Sequence, residues 1–117
     1  MLSTPDEASA LRQIDAIDLF GAQRPWQVVD VRTPSEFADG HLEGALPWPL
    51  GADMQRRLPK GLDRTTPTAP VCEGGYRSSA AASLLADLGL IEVANVRDGM
   101  PGWRRNHLPL SRDDAAD

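Results

Sequence analysis

Apolar positions along this chain alternate between short continuous runs and a helical stripe. The clearest run is Gln27-Val28-Val29-Asp30-Val31, β-branched and nearly uninterrupted, the pattern of a strand buried on both faces of a parallel sheet. The clearest stripe is Ala81, Leu84, Leu85 and Leu88, at i, i+3, i+4 and i+7. Gly89 follows it as a C-terminal cap.

Weaker signals fill the intervals. Ala10 to Ile14 predicts a short edge strand. Asp15 predicts an N-cap for a short helix carrying Ile17, Leu19 and Phe20 and stopping near Gly21. Thr33-Pro34-Ser35-Glu36 reads as a capping box with Pro34 at the first helical position, and Asp39-Gly40 ends that helix. His41 to Ala45 is a turn. Leu46 to Leu50 contains Pro47 and Pro49, so it is irregular or a very short strand. Ala52 to Leu58 predicts one or two helical turns, and Lys60 to Pro70 a loop whose last part, Ala69-Pro70-Val71, turns extended. Val93 to Val96 predicts a second short strand, and Gly99 to Trp103 opens a last helical turn. Alternating strands and helices predict an α/β fold, a central parallel sheet flanked by helices on both faces.

Length and charge narrow the function. The 117 residues suffice for a single domain, 1–117, with its core over about 10–110. A net charge of −5 argues against nucleic acid or an acidic membrane surface as partner. No apolar run reaches the length of a membrane span. Asp6, Glu7, Arg12 and Asp15 interrupt the first twenty residues, so no signal-peptide core is evident and a cytoplasmic location is expected. One cysteine and two widely spaced histidines give no metal-site pattern, and no cofactor is expected.

The single cysteine opens the most informative stretch, Cys72-Glu73-Gly74-Gly75-Tyr76-Arg77-Ser78. It sits where an extended segment ends and the striped helix begins. Backbone N–H groups in a glycine-containing turn at a helix N-terminus converge on one spot and favour negative charge there. Thiols in such places ionise readily: a free cysteine pKa of about 8.5 falls to roughly 3.5–7.5 beside a helix N-terminus or a cation. Gly74 and Gly75 allow a tight curl and close approach. Arg77 adds positive charge, whereas Glu73 opposes a thiolate unless its carboxylate points out to solvent.

Other residues are read as supporting. Asp30 and Arg32, at the C-terminal end of the Val28–Val31 strand, read as an ion pair holding the fold near the loop. Arg77 is expected to pair with Asp30 or Glu36 besides serving the loop. His41 reads as a hydrogen-bonded structural residue and His107 as solvated. Trp26, Trp48 and Trp103 read as packing residues, with Trp48 or Trp103 able to rim a pocket. Tyr76 reads as a substrate contact or a surface residue.

In this order these pieces resemble the rhodanese-like family over about residues 10–110. Val29-Asp30-Val31-Arg32 with Glu36 is similar to its D-V-R-x-x-x-E segment, and Gly40-His41-Leu42-Glu43-Gly44-Ala45 to its G-H-I-x-G-A turn. Cys72 to Ser78 is similar to its active-site loop C-x-x-G-x-R-S, and Gly99 to Trp103 to its G-x-x-x-W segment. The resemblance implies a sulfurtransferase with Cys72 catalytic and Glu73 to Ser78 as the substrate-binding loop. It implies a small-molecule sulfur donor and a thiol or cyanide acceptor, with a protein acceptor also open. The G-G-Y-R-S stretch is further similar to rhodanese domains associated with persulfide dioxygenases, which points to thiosulfate or a low-molecular-weight persulfide as donor. Two other readings remain: a non-catalytic interaction module, and a phosphatase or arsenate reductase of the related fold. The latter use C-x5-R, a larger loop than the C-x4-R of Cys72 and Arg77. Pro70 departs from the smooth strand that the family carries before its cysteine.

Overall fold

The computed structural model describes residues 12–51 and 58–112. The helical turns predicted from Ala52 fall outside these residues except at Leu58, as do Ala10 and Leu11 of the first predicted strand. The elements in chain order are β1 (Arg12–Ile14), α1 (Ala16–Phe20), β2 (Gln27–Asp30), α2 (Pro34–Asp39), β3 (Leu46–Pro47), β4 (Thr68–Val71), α3 (Tyr76–Asp87), β5 (Ala94–Val96) and α4 (Gly99–Arg105).

Every strand pairing is parallel. β1 pairs with β5, and β2 lies between β3 and β4. A single parallel bridge, Thr68 to Val93, joins the two patches into the order β1-β5-β4-β2-β3. Pro70 explains the thin join. Thr68 N–H donates to Glu92 O at 2.9 Å on the β5 side. Residue 70 faces the same side two positions later, and proline has no N–H to continue that ladder. On its other edge β4 pairs with β2 in unbroken register, Gln27 with Thr68 through Asp30 with Val71. The proline therefore costs the sheet bonds along one edge only.

Strand alternation sends side chains into two apolar layers. Ala69, Val71 and Val96 pack with Ala16 and Leu19 of α1, Phe37 of α2, and Met100 and Trp103 of α4. Val29, Val31 and Cys72 face Ala81, Ala82 and Leu85 of α3. Helices thus cover both faces of the sheet. The buried face of α3 is Ser78, Ala81, Ala82 and Leu85, rotated from the predicted stripe. Small side chains at 78, 81 and 82 let the helix lie close over the end of β4, leaving Leu84 and Leu88 half-buried at its margin.

The short helices show how far local signals reach. α2 has its capping box: Glu36 N–H donates to Thr33 Oγ1 at 3.2 Å, and Thr33 N–H to Glu36 Oε1 at 2.8 Å. Asp15 precedes α1 but makes no side-chain cap. Its carboxylate pairs with Arg97 at 2.8 Å, and the Ala16 N–H, at the first helical position, donates to Asp98 Oδ1 at 2.8 Å. The local carboxylate is thus drawn to a cation at the end of the neighbouring strand β5 instead of capping the helix.

Candidate active site

β4 ends at Val71, and the period of two turns Cys72 onto the α3 side of the sheet. The chain then folds back over the cysteine before entering α3 at Tyr76. Gly75 makes the turn with φ +83°, and a Cβ there would lie 2.6 Å from Arg97 O. A Cβ on Gly74 would meet nothing within 4 Å. Both glycines were expected to shape the loop, but only Gly75 is demanded by its backbone. Gly75→Ala is expected to cost about 1–3 kcal/mol, from left-handed strain and the clash, and Gly74→Ala less than about 0.5 kcal/mol. Denaturant midpoints of the two variants check this, and equal losses would contradict it.

The far side of the loop rests on α4. Met100 N–H donates to Cys72 O at 3.0 Å. Gly99, at φ +56°, brings its Cα so near the loop that a Cβ would stand 2.5 Å from Glu73 O and 2.6 Å from Cys72 O.

Within this cradle Cys72 Sγ accepts two backbone N–H groups, from Gly75 at 3.0 Å and Ser78 at 3.3 Å. Ser78 Oγ lies 3.4 Å away. Sequence reasoning anticipated a nest of amides from Glu73 to Ser78 with the cysteine at its mouth. The structure gives a tighter arrangement: two amides folded back onto the strand end reach the sulfur, and the side chain, 0% exposed, lies beneath the loop. Tyr76 and Arg77 occupy the first turn of α3, where N–H groups have no intrahelical acceptor.

Charged side chains ring the loop in pairs. Arg32 and Asp30 are both buried, joined at 2.8 Å (Nη2 to Oδ2) and 3.0 Å (Nε to Oδ1). Arg32 Nη2 also donates to Gly40 O at 2.7 Å, tying β2 to the end of α2. Of the two partners considered for Arg77, the structure selects Glu36, at 3.0 and 3.3 Å. Glu73 turns from the sulfur to Arg104 of α4, at 2.5 and 3.2 Å, with Arg32 at 3.7 Å. The Arg104 hydrogen bonds, with lesser help from charge, hold the Glu73 carboxyl below its ordinary range. Beside these pairs opens a cavity of about 340 Å³ whose walls include Arg32, Glu36, Glu73, Arg104 and Arg112.

Glu36 is the most perturbed of these groups, lowered from 4.5 to about 2, first by the Arg77 hydrogen bond and then by the Thr33 N–H. A folded-state value below the unfolded one stabilises above the ordinary carboxyl range and is lost as pH falls from about 4.5 toward 2. Both side chains are about one-third exposed, so screening limits the effect. Glu36→Gln is expected to cost about 1 kcal/mol at neutral pH and nothing near pH 2, as read by urea unfolding at both.

Tyr76 is 87% exposed. His41 Nδ1 is 2.8 Å from Phe37 O, and its ring stacks on Phe37 at 3.8 Å. Trp48 is buried in the layer that includes Cys72. Trp103 donates to Pro109 O at 2.8 Å and lines a separate cavity with Phe20 and Trp26. Among the described residues no cluster of three or more His, Cys, Asp or Glu is placed to hold a metal. Sequence reasoning missed Asn95 and Arg104. Asn95 lies buried on β5, and the Ser78 hydroxyl donates to its Oδ1 at 2.5 Å. Its one visible signal is a carboxamide inside the apolar run Val93-Ala94-Asn95-Val96.

A parallel α/β sheet ending in a Cys-x4-Arg loop wrapped around its sulfur defines a rhodanese-like protein, and the chain belongs to the rhodanese-like domain family, matching it over residues 5–106. Protein YqhL of Bacillus subtilis is 36% identical over 80 residues, 68% of this chain and 62% of that protein, so the chain spans less than two thirds of this relative. Thiosulfate sulfurtransferase GlpE of Pseudomonas fluorescens is 33% identical over 86% of this chain and 81% of its own. The crystal structure of a rhodanese-related protein from Thermoplasma volcanium superposes with a TM-score of 0.76 at 31% identity, covering 86% of this chain and 97% of its own. No helix among the described residues is long and apolar enough to cross a membrane.

Proposed function

We propose that this chain is a sulfurtransferase that carries a sulfane sulfur on Cys72. The Cys72 thiolate attacks the outer sulfur of thiosulfate or of a low-molecular-weight persulfide. A new S–S bond forms at Sγ, the donor's S–S bond breaks, and its electron pair leaves with sulfite or the donor thiolate. An acceptor thiol or cyanide then attacks the outer sulfur of the persulfide, and the pair returns to Cys72. Electrons balance with no outside oxidant and no cofactor.

One observation carries this reading: the sole cysteine sulfur accepts N–H groups from Gly75 and Ser78 at the start of a twelve-residue helix. Fixed donors of this kind stabilise negative charge on sulfur in a site that excludes water. The pairing of Glu73 with Arg104 and Arg32 removes the carboxylate that would oppose it. The name of the Pseudomonas fluorescens relative agrees in reaction type. The C-x4-R loop is one residue shorter than the C-x5-R loop that holds a tetrahedral oxyanion, so aryl-phosphate hydrolysis is not expected.

Intact mass spectrometry after separate exposure to thiosulfate, mercaptopyruvate and glutathione persulfide tests the proposal. The expected result is a gain of one sulfur atom with at least one donor, mapped to Cys72 and removed by excess thiol. No gain with any of the three overturns it and leaves an interaction module as the better reading.

A further inference from the structure

We infer that Asn95 is a positioning residue for the sulfur, holding the Ser78 hydroxyl with its lone pairs, rather than its proton, toward Cys72. Donor and acceptor capacities fix the orientation of the carboxamide. Gly75 O only accepts, so the Asn95 atom 3.4 Å from it is Nδ2, which also donates to Gln13 Oε1 at 3.1 Å. The carboxamide oxygen therefore faces Ser78 Oγ, and being unable to donate it takes the hydroxyl proton. A serine hydroxyl has one proton. What it then presents to Sγ, 3.4 Å away, is an acceptor.

That acceptor suits a thiol S–H and opposes a negatively charged sulfur. As charge develops on Sγ the hydroxyl turns, transferring its hydrogen bond from Asn95 to the sulfur. Asn95 thus holds back ionisation, against the Gly75 and Ser78 amides that favour it. Cys72, Ser78 and Asn95 are 0%, 0% and 3% exposed, so bulk water does not substitute for the turning hydroxyl. The charged groups nearby are Glu73 on the loop, Arg77 in the first turn of α3, Asp30 at the end of β2 and Arg32 just after it, Glu36 on α2, Arg97 after β5 and Arg104 on α4. None of them hydrogen-bonds Sγ among the described residues.

The inference concerns ionisation of the thiol and not the donor, so it can fail independently of the sulfur-transfer reading. The test is the rate of alkylation of the single cysteine by a small haloacetamide as a function of pH. Asn95→Ala is expected to lower the midpoint by about half to one pH unit, because the freed hydroxyl can donate to the thiolate. In a Ser78→Ala background the same substitution is expected to leave the midpoint in place. An upward shift in Asn95→Ala, or an equal shift with Ser78 removed, overturns the inference. If Asn95→Ala does not fold, the infrared S–H stretch of the wild-type protein at low pH decides. A hydrogen-bonded band that moves to higher frequency in Ser78→Ala supports the geometry, and a wild-type band at the free-thiol position overturns it.

Discussion

A Cys72→Ser variant is expected to take up no sulfur from any donor and to lose transferase turnover by on the order of 10³-fold or more, while remaining folded. The two properties separate because the cradle recognises an acceptor, and oxygen is one. Gly75 and Ser78 N–H groups can still donate to a serine Oγ, so no buried donor is stranded. The hydroxyl, however, stays protonated at neutral pH and cannot form the S–S link on which the proposed cycle runs. Its denaturant midpoint should lie within about 1 kcal/mol of wild type. Sulfur uptake by this variant would place the chemistry elsewhere on the chain; gross unfolding would mean that the thiol is a core residue first.

Arg32→Met is expected to be the most damaging of the substitutions considered for stability, costing about 3–5 kcal/mol of the 5–15 kcal/mol typical for a domain. It leaves the Asp30 carboxylate, 0% exposed, without its cation. The Arg32 backbone N–H still donates to Asp30 Oδ1 at 3.0 Å, which does not replace the lost charge. Gly40 O loses its guanidinium donor as well, loosening the C-terminal end of α2. Removing both charges together, as Asp30→Leu with Arg32→Met, is expected to restore part of the loss, since neither ion is then stranded. Urea unfolding of the two variants measures it. A single-variant loss under about 1 kcal/mol would show that the pair contributes little.

Features set by neighbours in the chain were legible in the sequence. The Thr33–Glu36 capping box, the β-branched Val28–Val31 strand and the Cys72–Ser78 loop at the entry to a helix depend on residues within a few positions of one another. So does the two-residue β3, one of two options for the proline-containing stretch. Legibility failed where a group from far along the chain won a local contest. Arg97 takes the Asp15 carboxylate away from the start of α1 across 82 residues. Arg104 draws Glu73 from the sulfur across 31 residues. Nothing periodic marks such pairs. The rotation of α3 onto its small residues belongs to the same class: composition favoured the leucines, and the room over the end of β4 favoured serine and alanine.

Enclosure of the only thiol also bears on oxidative damage. A sulfenic acid formed at this position finds no second cysteine in the chain to condense with. Repair then falls to a visiting thiol that must pass the same loop as any substrate. Without that visit, further peroxide carries the residue to the sulfinic state, from which ordinary reductants do not bring it back.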